Sequence, residues 1–459
     1  MFTTRLMVAA VALTLAAVVA PAQAAQRYGW TPSVELSAAG QHAWDPEVAY
    51  SENGDAVFVW NRYTGSDYVG QMVTRSAAGT LGSVRRLADP STQGLEGPKV
   101  AIDDAGNALI AWTRWDGADW RVQARSLEDG VLGDIETLSD FGENASAPEL
   151  AVNAEGEGVV TWTRTDDVTG NPMVEARTMS TAGDVGGLEV ISDSGQEARG
   201  ADVGIDGDGD AVLVWERYDV TDNLILTRWL DSDGTLNSER TLSLSGNSAQ
   251  EPHVAINDAG AVAYAWTRSD GTNVRVQGRV DLIGAPLDSI MTLSASGQSA
   301  DEARAAIDAS GDSLFSWTRW DGDDWRVQTV RLPAGGVPDA VESQSANGGH
   351  ASNAEIAIEP DGTAAIAWTR WDAATQETEA QVRKLPANGG VSATVTRSSA
   401  GEDPSEPHVA VRSGGTIMLT YEAFDGAYRR IKYSKGAPEG VLPDDVLTPT
   451  GGGHTAPGP

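Results

Sequence analysis

The chain has 459 residues, with 66 acidic against 32 basic side chains, and so a net charge of −34. Cysteine is absent, which excludes a disulfide scaffold, a thiolate-held metal and a thiol enzyme. An acidic surplus of this size also argues against a nucleic-acid partner, whose phosphates need neutralising.

Residues 1–25 read as an address. Arg5 is followed by an apolar run from Leu6 to Ala20, and Ala22-Gln23-Ala24 is a small-x-small triplet of the kind signal peptidase accepts. The expected product is therefore secreted or extracellular, or periplasmic where the source has an outer membrane. The apolar run is short for a membrane span, no second one follows, and no membrane span is expected. Residues 449–459, rich in Gly and Pro, read as a disordered tail.

Residues 33–448 are eight repeats of about 51 residues. Strand-forming runs carry a tryptophan at Trp60, Trp112, Trp162, Trp215, Trp266, Trp317 and Trp368, with Tyr421 in the eighth copy. Six residues before each stands a glycine: Gly54, Gly106, Gly156, Gly209, Gly260, Gly311, Gly362 and Gly415. Five residues earlier again stands a small residue, Ala101 in the second copy and Gly204 in the fourth.

Within the second copy the pattern predicts four strands. Strand A covers Val100 to Asp103, with Pro98 before its start. A D-x-x-G hairpin leads to an alternating strand B from Ala108 to Arg114. Strand C holds Val122 to Arg125, and strand D ends in Thr137-Leu138-Ser139. No stretch has sustained helical periodicity. Four strands repeated eight times predict an all-β chain, a single β-propeller of eight four-stranded blades, with seven as the alternative. A lone blade cannot cover both of its faces, so each must stack on two neighbours and the ring must close. The seven tryptophans are expected in the core between blades. Two segments compete for the last outer strand, Val34 to Ser37 and Asp445 to Thr448.

The run Pro98 to Asn107, with Pro252 to Gly260 and Pro407 to Val411, resembles NHL-type and related bacterial propeller repeats. The likeness extends over about 400 residues and implies the propeller fold. It leaves function open, because Trp-Thr-Arg stands where that family usually has an acidic residue.

In such a ring the B–C and D–A loops share one end. The B–C loops Trp115-Asp116-Gly117-Ala118-Asp119-Trp120 and Trp320-Asp321-Gly322-Asp323-Asp324-Trp325 are nearly identical, and Trp371-Asp372 is a weaker copy. Trp115, Asp116, Trp120, Trp320, Asp321, Trp325, Trp371 and Asp372 are the candidate ligand contacts. Rings stack on the C–H faces of sugars while charged groups bond hydroxyls. Against that stands a plainer reading, that each loop is a hairpin with its two rings as a cross-strand pair. Acidic residues Asp45, Glu96, Glu143, Glu197, Glu251, Glu302 and Glu406 are expected in the D–A loops. The arginine two residues after each core tryptophan, from Arg62 to Arg370, is expected to bond between blades.

Asp206, Asp208 and Asp210 form a weak candidate for calcium, set against an ordinary A–B turn. No other cofactor is expected, and His253 and His408 take equivalent positions near the axis. No Ser-His-Asp set, HExxH or P-loop is present, and no carboxylate pair stands out from its echoes. The sequence thus favours a monomeric binding propeller for a glycan or an extracellular protein. A glycoside-active enzyme and a purely structural exported protein are the alternatives.

Overall fold

The structure is a computed structural model, and it describes residues 28–88, 94–390 and 392–438. The predicted leader, the Gly/Pro tail and the segment Asp445 to Thr448 lie outside the described residues. The described residues contain no helix, and they form eight antiparallel sheets. Each sheet is one blade of a β-propeller, as the repeat count predicts. Consecutive A strands pack side by side round the axis, and Ser405–Arg412 of blade 8 meets Ala43–Tyr50 of blade 1 to complete the ring.

Strand A is longer than the pattern implied. In blade 2 it runs Leu95–Ile102, so Pro98 sits inside it. The reason is a bulge: the register with strand B, Ala108–Trp115, shifts between Glu96 and Lys99. Proline is tolerated there because the bulge frees its nitrogen from the ladder. The bulge recurs in every blade at the residue before the proline position, where φ is positive: Asp45, Gly97, Ala147, Gly200, Glu251, Glu302, Asn353 and Glu406. Strand C is Trp120–Glu128, and strand D is only Glu136–Thr137.

The Thr-Leu-Ser signature has a physical cause. Leu138 is buried, while the Ser139 hydroxyl accepts from Val122 N at 3.0 Å. Ser192, Ser243, Ser294, Ser345, Ser398 and Ser37 repeat that bond on their own C strands. Each serine thereby satisfies an amide that the short outer strand leaves behind.

All seven strand-B tryptophans are fully buried. Their clusters cross blade boundaries: Trp112 packs with Val57, Val59, Met72 and Leu87 of blade 1, and Trp215 with Val159, Val174 and Ile191 of blade 3. Trp60, Trp266 and Trp317 donate Nε1–H to Gln71, Gln277 and Gln328, the strand-C residues opposite them.

Blade 8 is closed by the other end of the chain. Val34–Glu35 and Tyr28–Trp30 pair with its strand C, Arg429–Pro438. The N-terminal segment therefore supplies the missing outer strand, and the sheet begins five residues before the predicted start at Ser33. Tyr421, which replaces tryptophan in this blade, hydrogen-bonds Ser33 at 2.9 Å across the closure.

Candidate functional site

Three layers of side chains occupy the end of the ring where the D–A and B–C loops emerge. The innermost is a ring of charge. Two residues before the small residue of strand A stand Glu47, Lys99, Glu149, Asp202, His253, Arg304, Glu355 and His408, one from each blade. Neighbours pair around it: Lys99 with Glu47 at 2.8 Å and Glu149 at 3.3 Å, Arg304 with Glu355 at 2.9 Å, and His408 Nε2 with Glu47 at 2.7 Å. Only the two histidines were singled out from the sequence. The signal for the rest was available, as a titratable or charged residue at one register position in all eight copies. A cavity of about 280 Å³ opens above the ring, bounded by Asp45, Glu47, Lys99, Glu355, Glu406 and His408.

The middle layer is acidic. Asp45, Glu251, Glu302 and Glu406 are bulge residues of strand A rather than loop residues, and Asp45 and Glu406 line the axial cavity. Burial raises all four carboxyls. Glu406 reaches about 8 because Glu422 and Asp45 add to burial, and Glu251 about 7 with the help of Asp301. In the ring below, burial lifts Glu149 to about 7. Burial alone would lower His408, but Glu47 outweighs it and raises the imidazole above its usual range. At the same time His408 and Lys99 overcome the burial of Glu47 and hold it well below the carboxylate range.

These directions fix a pH dependence. Glu149, Glu251, Glu406 and His408 all bind protons more tightly folded than unfolded, so the folded state carries more protons between about pH 4.5 and 8. Stability is therefore expected to fall as pH rises through that window. Depressed groups such as Glu47 and Glu355 act on the other side, losing their contribution only as pH drops below about 4.5. Melting curves in a chelator should give a higher midpoint at pH 5.5 than at pH 8.5. A midpoint that rises over that interval would contradict the assignment.

The outer layer holds the aromatic loops. Trp115 and Trp120 are directly opposite in the B–C hairpin, in edge contact at 5.6 Å, and Trp320 and Trp325 repeat this at 5.9 Å. Asp116 accepts the amides of Ala118 and Asp119 and faces Arg121 at 3.5 Å. Asp321 does the same for Asp323, Asp324 and Arg326, and Asp372 for Ala374, Thr375 and Arg370. These aspartates order their turns and lie beside the rings. The blade 2 and blade 6 loops stand four blades apart, so the structure does not bring Trp115 and Trp320 together.

It does join blades 6 and 7. His350, in the D–A loop between them, stacks on Trp320 at 5.8 Å with 17° between planes, and on Trp371 at 6.5 Å with 27°. Trp371 is 40% exposed. His350 Nδ1 accepts from Trp325 N at 3.2 Å, which leaves the proton of the neutral ring on Nε2. His350 was not legible as a site residue, because its partners come from two different repeats. The repeated arginines serve the loops: Arg62, Arg268, Arg319 and Arg370 donate to carbonyls of the D–A loop entering their own blade.

Asp206, Asp208 and Asp210 lie at the opposite end. Asp206 Oδ1 accepts the amides of Asp208 and Asp210, and Asp210 accepts from Ser232 N. That is an A–B turn, and Asp103 and Asp308 build theirs in the same way. Among the described residues the three do not converge as metal ligands.

No protein-family model and no curated protein sequence matches the chain. Its likenesses are to solved structures. A protein of unknown function from Dyadobacter fermentans is 13% identical, with 90% of this chain and 99% of that one covered at a TM-score of 0.43. The β-propeller domain of the Trilobed protease from Pyrococcus furiosus is 7% identical, covering 80% and 98% at 0.47. An α-L-arabinofuranosidase from Fusarium graminearum is 10% identical, covering 63% and 93% at 0.38. The blade count and strand order rest on the chain's own geometry, and the NHL-type likeness stays at the level of the propeller fold. No helix among the described residues is long and apolar enough to cross a membrane.

Proposed function

We propose that the chain is an exported binding propeller that takes an extended glycan across the end bearing its B–C and D–A loops. The observation that carries this reading is the column Trp320–His350–Trp371, a rigid ridge of rings that spans two blades and keeps Trp371 exposed. Such rings stack on sugar C–H faces, and the nearby carboxylates accept hydroxyl hydrogens. Neighbouring Asp321, Asp323 and Asp324 repel acidic sugars, so a neutral or amine-bearing glycan is favoured over an anionic one. The Trp115–Trp120 loop across the axis gives a long chain a second contact, and avidity in place of one deep pocket.

The test is a glycan array with the mature protein, repeated with a Trp320→Ala/Trp371→Ala variant and with a Trp115→Ala/Trp120→Ala variant. Binding to neutral polysaccharide that weakens at least tenfold in the first variant supports the reading. A silent array beside capture of a secreted protein that depends on the same tryptophans would move the ligand to the protein class.

A further inference from the structure

The residue after the core aromatic of strand B is threonine in five blades: Thr113, Thr163, Thr267, Thr318 and Thr369. Thr267, Thr318 and Thr369 return their hydroxyls to strand-A carbonyls at 3.1–3.3 Å. Blades 1, 4 and 8 depart from this rule, and two of them meet at the closure. Blade 1 has Asn61 there and blade 8 has Glu422, both buried. They face the bulge residues Asp45 and Glu406 of the same two blades. One carboxylate oxygen from each of Asp45, Glu406 and Glu422 lies within 4.8 Å of the others.

Three carboxylates in contact need a proton or a cation between them, and no described basic residue forms an ion pair with any of them. Lys99, nearby in the axial ring, is engaged by Glu47 and Glu149. Blade 4 differs, since its equivalent Glu216 has Arg199 at 3.6 Å. A second observation is independent of the acids. Asn61 is 0% exposed and donates Nδ2–H to Asp45 Oδ2 at 2.7 Å, while its Oδ1, on the same planar amide at the edge of the cluster, has no partner. A buried carbonyl without a partner, on an amide already bonded to Asp45, is an acceptor without a donor, which is what a cation supplies. The set is all oxygen, the preference of a hard divalent ion, and the axial cavity beside Asp45 and Glu406 has room for the waters a calcium shell requires.

We propose that a calcium-class divalent cation binds between blades 8 and 1, held by Asp45, Glu406, Glu422 and Oδ1 of Asn61, and clasps the inner rim of the closure. Its ligands come from residues 45 and 61 on one side and 406 and 422 on the other. The ion thus joins the two ends of the repeat array on the axial side, while the N-terminal strands join them on the outside. Because it binds only the closed ring, it stabilises the fold by linkage.

The experiment is terbium titration of the purified chain at pH 7.5, with Trp44, next to Asp45, as sensitiser, alongside melting curves in EDTA and in 1 mM calcium chloride. The expected result is saturable emission at one equivalent, displaced by calcium but not by equimolar magnesium, with a higher melting midpoint in calcium. Glu406→Gln, which keeps the side chain's shape and removes its charge, should weaken terbium binding at least tenfold and remove the calcium-dependent rise. Asp208→Asn, in the exposed A–B turn of blade 4, should change neither. Absence of saturable binding, or binding that survives Glu406→Gln and is lost in Asp208→Asn, overturns the proposal.

Discussion

Trp215→Ala is expected to destabilise the protein by about 3–5 kcal/mol, the range for truncating a buried aromatic. Its ring has no exposed surface and lies between Val159, Val174 and Ile191 of blade 3 and Leu213, Leu224 and Leu226 of its own blade. No large flexible group stands ready to fill the space, so the lost contacts become a cavity at a blade interface. Trp320→Ala, where a half-buried ring leans on Trp325 and His350, should cost about 1 kcal/mol. Denaturant midpoints with unchanged slopes measure both. Equal losses would mean that the rim rings are as structural as the core ones.

A larger effect is expected from removing the segment up to residue 37. That segment carries the outer strand of blade 8: Thr31 N donates to Lys435 O and Leu36 N to Ile431 O, each at 2.8 Å. Ser37 caps Ile431 and accepts from Arg430, and Leu36 is buried. Without it the whole edge of Arg429–Pro438 is bare, a template for intermolecular pairing. The truncated chain should lose its cooperative melt and elute as soluble aggregate. A synthetic peptide covering residues 26–40, added during refolding, should restore the monomer by strand addition. A truncated monomer that melts within a few degrees of the full chain would show that the closure depends on something else.

The repeat made the blade count legible, because glycine, small residue and tryptophan keep a fixed frame within each copy. What a frame shows poorly is whatever departs from it or joins two copies. The bulge lengthened strand A past the proline, since proline reads as a strand start unless the ladder is known to skip there. The charged ring was missed for a different reason. Glu47, Lys99, Asp202 and Arg304 differ in type and in sign of charge, so alignment by residue identity passes over them, although all hold one register position two residues before the small residue of strand A. His350 and the Asp45–Glu406–Glu422 group draw on residues from different repeats, brought together by the stacking of blades 6 and 7 for the first and by ring closure for the second. The rim aspartates were visible at once, yet their turn-ordering role appears only with the amides they accept.

Ring closure also dictates an order of events during synthesis. Ser33 bonds Arg397, 364 residues away, and Arg412 reaches Glu52 across 360. At roughly 5–20 residues per second, the first strand made must wait about 20–70 s for its partner. Over that interval the inner blades have their neighbours, while the first and last faces stand open with tryptophan-lined surfaces. The finished fold is therefore a late, long-range event on a growing chain that is already largely built, which makes slow final folding the expected kinetic signature. The charge of −34 bears on this stage: mutual repulsion is expected to oppose the docking of incomplete rings onto one another before each closes on itself.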